Sequence, residues 1–156
     1  MVLHVRLELV RTRFYTRMNK MAFAEFNIYK GLYVHVRLTM ASPTIEQFKT
    51  FLDGMLQILD RNEKMCMLVD STAVKSAPLS AAWAVIEFMK ANRTQFQKLS
   101  NGTAIVVGNE TVANLLNFAF KVQPPTSPYL VSVDIDTANA FVREKLLEIS
   151  PVYVEA

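Results

Sequence analysis

The stretch Met67-Leu68-Val69-Asp70-Ser71-Thr72-Ala73-Val74-Lys75-Ser76-Ala77-Pro78-Leu79-Ser80-Ala81-Ala82-Trp83 decides how this chain folds. An apolar run stops at an acid, crosses a short hydroxyl-rich segment, and enters a pattern with helical spacing. That is a buried strand feeding a helix through a polar loop. In open α/β sheets the carboxyl ends of the strands are where sites form. The stretch therefore marks the place of a site, without a complete set of catalytic groups.

Working outward, Met65 to Asp70 is a short continuous apolar strand of the kind covered on both faces. Pro78 opens a helix with Leu79, Trp83, Ile86 and Met89 on one stripe, read as core. This helix runs until Asn101-Gly102, a turn signal. Phe88 and Phe96 fall off the stripe and are candidates for exposure. Thr103 to Val107 is a second apolar strand. Gly108-Asn109 leads into a helix with Val112, Leu115, Leu116 and Ala119 inward. Three prolines between Pro124 and Pro128 make a loop, since proline donates no ladder hydrogen bond. Tyr129 to Val133 is a strand. Asp134 or Asp136 caps a last helix, to about Ile149, with Ala140, Phe141 and Leu147 inward.

Upstream, Phe23 to Tyr29 and Leu32 to Met40 read as two strands joined by the turn signal Lys30-Gly31. Ser42-Pro43 supplies an N-cap and a first-turn proline for a helix with Ile45, Phe48, Leu52, Met55, Leu56 and Leu59 on its apolar face. The order is ββαβαβαβα. Strands alternating with helices favour a mixed, mainly parallel sheet with helices packed on it, and an antiparallel edge from the opening hairpin. The chain divides into a basic extension at 1–21, one domain at 22–150, and a tail at 151–156.

This order and the loop chemistry resemble the STAS domain family, which includes the anti-sigma-factor antagonists, with the CRAL-TRIO-like lipid-binding fold as a neighbour. The likeness covers roughly residues 22 to 147. The family's strand ends in Asp, here Met67-Leu68-Val69-Asp70; Thr72 and Val74 fall on its hydroxyl residue and valine. Pro78-Leu79-Ser80-Ala81 stands where Asp-Ser-Ser-Gly opens the helix. The passage Val133 to Val142 is similar to the closing strand-to-helix segment, where an alanine packs on the sheet. In antagonists a kinase phosphorylates the first serine of the motif. That residue is Leu79 here, and only the second serine is matched, by Ser80. A phosphorylation switch would therefore have to use Ser80 or Ser76.

Composition bounds the function. The chain has 156 residues, about half of them apolar, enough for one domain with a proper core. The net charge of +3 does not call for nucleic acid. Lone Cys66 excludes an intrachain disulfide and, lying in an apolar strand, reads as a buried thiol in a reducing compartment, hence a cytoplasmic setting. His4 and His35 are isolated and make no metal site. Gly31, Gly54, Gly102 and Gly108 are too scattered for a phosphate loop. No cofactor is implied, and no run of about 18 apolar residues spans a membrane. In residues 1–20, Arg6, Arg11, Arg13, Arg17 and Lys20 face one acid, Glu8. Leu3, Val5, Leu7 and Leu9 alternate as in a strand. Leu3, Leu7, Val10, Phe14 and Met18 are spaced as in an amphipathic helix, the pattern of an organelle-targeting segment; Met18 or Met21 would serve as a later start. The repeated His-Val-Arg-Leu at 4–7 and 35–38 is too short to be a repeat.

These readings point to a non-enzymatic STAS-like module for protein interaction or regulation, docking a partner through the loop after Asp70 and the face of the Pro78 to Asn92 helix and self-assembling through its basic arm. Asp70, Ser71, Thr72, Ser76 and Ser80 are its partner-binding or regulatory candidates, with Ser80 the phosphorylation candidate. Two alternatives stand beside it. One is a small-molecule or lipid binder, which requires a cavity of roughly 300 Å³ or more. The other is a structural subunit held in a larger assembly by residues 1 to 21.

Overall fold

A computed structural model describes the backbone of residues 9–10 and the whole of residues 23–150. The strands are β1 (Leu9–Val10), β2 (Ala24–Tyr29), β3 (Tyr33–Leu38), β4 (Met65–Ser71), β5 (Ser100–Val107) and β6 (Tyr129–Ser132). The helices are α1 (Ile45–Asp60), α2 (Leu79–Ala91), α3 (Arg93–Leu99), α4 (Glu110–Val122) and α5 (Ile135–Ile149). The sheet order follows the chain, β1 to β6. Strands β1, β2 and β3 pair antiparallel, and β3 through β6 pair parallel. The mixed, mainly parallel α/β architecture expected from the sequence is the one observed. The hairpin, however, lies one place in from the edge, because Leu9–Val10 add beyond β2 by pairing with Ile28 and Tyr29. The remaining readings on residues 1–22 and 151–156 lie outside the described residues.

The hairpin turns at Lys30 and Gly31, with φ of 53° and 75°. Two successive positive φ values are the signature of the turn that matches strand twist. Alternation along β4 divides the core. Met65, Met67 and Val69 face a large cluster with Phe23, Phe26, Phe51 and Ile58. Cys66 and Leu68 face a smaller one with Ala104, Val106, Ala138 and Leu146. Helices α1 to α4 cover the first face, and among the described residues α5 alone covers the second. Burial pushes the Cys66 thiol up to about 12, which leaves it inert as a nucleophile.

Several boundaries differ from expectation for local reasons. Helix α1 begins two residues later than Ser42-Pro43 implies. Thr44 is the true cap: its hydroxyl accepts from the Gln47 N–H at 3.1 Å, and the Gln47 side-chain Oε1 accepts from the Thr44 N–H at 2.9 Å. Leu56 faces outward, since Phe51, Met55, Ile58 and Leu59 take the core side. The helix after Pro78 ends at Ala91, where the Asn92 amide N–H and side chain both turn back to the Phe88 carbonyl. Asn101-Gly102 is not a turn but the start of β5. A Cβ on Gly102 would sit 2.7 Å from the Lys145 side chain, and the Asn101 amide donates to the Lys145 carbonyl at 2.8 Å. The pair is used to seat α5 against the sheet. Within α5 the inward residues are Ala138, Val142 and Leu146, whereas Ala140 and Leu147 are exposed. The cap at Asp134, which accepts from the Thr137 N–H, sets that phase.

His35, half-buried on β3, has its pKa lowered. Burial is the main cause, and Arg37 adds to it against the opposing pull of Asp70 and Glu25. The folded chain then binds the proton less readily than the unfolded one. Stability is full above the ordinary value of 6.5 and declines as pH falls below it toward the depressed folded value. Urea midpoints should accordingly drop between pH 7.5 and 5.5, and a His35→Gln variant should show a flatter profile across that interval.

Candidate functional site

The loop between β4 and α2 is held from three sides. Asp70 closes its start: its carboxylate accepts from the Thr72 N–H at 3.0 Å and the Thr72 hydroxyl at 2.7 Å. The Ala41 carbonyl accepts from the Lys75 and Ser76 N–H groups at 2.7 and 3.1 Å, and the Ser76 and Ser42 hydroxyls are 3.2 Å apart. On the third side Asn109 caps α4 by accepting from the Val112 N–H at 3.0 Å, while its side-chain amide donates to the Val74 carbonyl at 3.0 Å. The neighbouring Gly108 allows that approach, because a Cβ there would meet the Thr72 carbonyl oxygen at 2.6 Å. Removing both bonds in Asn109→Ala should cost about 2 kcal/mol, from the lost cap and an orphaned carbonyl. Asn109→Ser, which keeps a capping oxygen, should cost roughly half of that. Urea unfolding of the three proteins measures the difference.

The five candidate residues are thus not one cluster. Asp70 and Thr72 bond to each other at the exposed lip of the sheet. Ser76 belongs to the contact with Ser42. Ser71 points the other way: it is buried and donates to the Val106 carbonyl at 2.6 Å, tying β4 to β5. Ser80 stands exposed in the first turn of α2. Among the described residues no group of three or more His, Cys, Asp or Glu side chains is placed to hold a metal. No helix of the described residues is long and apolar enough to cross a membrane.

What sequence reasoning missed is which side chains the helix beside this loop exposes. Leu79 and Trp83, expected in the core, are 59% and 46% exposed. Pro78 stands at the cap and sets the helix phase so that Ala81, Ala82 and Ile86 face inward. Small alanines there let α2 approach the layer beneath, and the large side chains one step round are left outside. Phe118 and Val122, one turn apart on α4, are exposed as well. The rings of Trp83 and Phe118 meet edge to face with centroids 5.4 Å apart, which joins the two helices into one apolar patch. The available signal was that α2 is apolar on every side, a pattern that does not fix which face is buried. Phe88 and Phe96, candidates for exposure, are half-buried and pack on each other and on the main core.

Behind the patch, between the sheet and the helices, lies a cavity of about 180 Å³. Phe48, Met55, Val85, Met89, Leu116 and Ala119 form much of its wall. Half-buried Pro125 and Ser127 and exposed Tyr129 belong to its wall, so the space is partly open to solvent. It is smaller than the roughly 300 Å³ that the small-molecule or lipid-binding reading requires, and has room only for a ligand smaller than that reading assumes.

The order of elements, the parallel strands after an antiparallel start, and the loop after Asp70 can now be compared with solved structures. One match is an uncharacterised DUF3478-family protein from Shewanella loihica PV-4, whose crystal structure is described as having a SpoIIAA-like fold. It aligns over 87% of this chain and 91% of its own, with a TM-score of 0.52 and 14% sequence identity. The fold of this chain is SpoIIAA-like, that is, STAS-like. At that identity the likeness concerns the fold alone. No protein-family model matches the chain, and no curated protein matches it. Ala138, in the closing segment that resembles the STAS family, is fully buried where α5 meets β4 and β5 of the SpoIIAA-like sheet.

Proposed function

We propose that this chain is a non-enzymatic STAS-like interaction module that docks a protein partner through the α2–α4 patch and the loop after Asp70. The observation that carries the reading is the patch itself. Four large apolar side chains, Leu79, Trp83, Phe118 and Val122, stand exposed on adjacent helices, two of them in ring contact. Exposed apolar clusters on folded chains mark interaction surfaces, and tryptophan is a favoured anchor of such interfaces. The partner is a protein offering apolar side chains of its own, with Asp70, Thr72 and Ser76 at the polar rim. Their loop is already fixed by its hydrogen bonds, so docking has little backbone to order.

Ser80 supplies the regulation. It lies between Leu79 and Trp83 on the first turns of α2. A phosphate there brings about two negative charges to the edge of an apolar interface and opposes docking.

A photoreactive phenylalanine analogue incorporated in cells at position 83 tests the proposal, with the same analogue at exposed Glu144 on α5 as control. The proposal expects a discrete crosslinked species from position 83 and none from position 144. An adduct of twice the chain's mass would make the partner a second copy. Absence of any adduct from positions 83 and 118, or equal adducts from 144, would overturn it.

A further inference from the structure

We propose that the partly open apolar cavity between the sheet, α1, α2 and α4 is a binding site for a small, uncharged, apolar molecule of about the size of benzene to indole. This does not depend on the docking patch, which lies on the outer side of the same helices. The size sets the first limit. At about 180 Å³ the space is comparable in volume to apolar cavities of about 150 Å³ that take up benzene. The wall sets the chemistry. No charged side chain lines it among the described residues, so a carboxylate or ammonium ligand would be stripped of water without a partner. The inner hydroxyls are already used: Ser71 donates to the Val106 carbonyl, and Thr103 lies 3.4 Å from the Ser100 hydroxyl. The other hydroxyls on the wall are those of half-buried Ser127 and exposed Tyr129, so a single polar substituent on the ligand would turn toward them. The space exists because the helices present alanines to it, namely Ala81, Ala82 and Ala119, with Ala77 of the preceding loop beside them.

Two of the eight methionines, Met55 and Met89, lie on the wall, whereas Met65 and Met67 are buried in the sheet away from it. Methyl-labelled methionine in the full chain therefore reads occupancy directly by NMR during titration with indole. The expected result is a saturable shift of the Met55 and Met89 methyls with Met65 and Met67 unmoved. Filling the space from opposite helices, in Ala119→Leu on α4 and separately Ala82→Leu on α2, should weaken indole binding at least tenfold. Should one variant fail to give a dispersed spectrum, the other decides. Shifts that never saturate, that fall equally on Met65 and Met67, or that persist at wild-type affinity in the filled variants would overturn the proposal.

Discussion

Phe26→Ala is expected to lower the unfolding free energy by about 3–5 kcal/mol, the cost of deleting a buried phenylalanine from a packed core. Phe26 is fully buried on β2, where it is paired with Val36 of β3 and stacked on Phe51 of α1 with ring centroids 6.2 Å apart. It belongs to the aromatic group with Phe23, Phe48 and Phe51 that fastens α1 to the antiparallel half of the sheet. Phe26 is not on the cavity wall, so the existing space cannot absorb the loss by a simple local collapse. A domain of this size has about 5–15 kcal/mol in total. The variant should thus show a much lower urea midpoint with an unchanged slope, or fail to accumulate. A loss under about 1 kcal/mol would mean that this aromatic group is not the main core.

The second large effect separates two adjacent leucines. Leu146→Ala should cost about 2–5 kcal/mol and Leu147→Ala less than about 1. Leu146 is fully buried between α5 and the sheet, whereas Leu147 is 38% exposed. Because α5 is the only described helix on its face, Leu146, Val142 and Ala138 carry that contact with no neighbouring helix to compensate. Side-by-side urea curves decide it. Equal losses, or a larger loss at Leu147, would place the helix in the wrong phase.

That pair also shows where the sequence was readable. Strand β4 was legible because an unbroken apolar run ending at Asp70 has few other solutions. A cap at Asp134 or Asp136 was legible from side-chain chemistry, and Asp134 is the one used. Helix phase was not. In α2 and α5 the apolar residues run round more of the helix than one face, and the buried side was chosen by the cap and by small residues, Ala81 and Ala82 in one and Ala138 in the other. Reasoning from bulk placed Leu79, Trp83 and Leu147 inside, and each lies outside. Asn101-Gly102 was misread for a related cause. Its turn-forming composition serves a close crossing by Lys145 that no local pattern reveals. The sequence pointed to the loop after Asp70 and to the face of the helix after Pro78. Which side chains that face exposes was not legible, since exposure is a tertiary property.

The measurement that tests the central claim most directly compares the full chain with its Trp83→Lys/Phe118→Lys variant. Both are recovered from the cells that make them, and both are checked for an intact fold by circular dichroism. If the α2–α4 patch is the docking surface, a protein bound stoichiometrically to the wild-type chain should be held several-hundredfold more weakly by the variant, since two anchors at an interface centre, each worth about 2 kcal/mol, are removed together. A folded variant that keeps the same partner at wild-type occupancy would contradict the account.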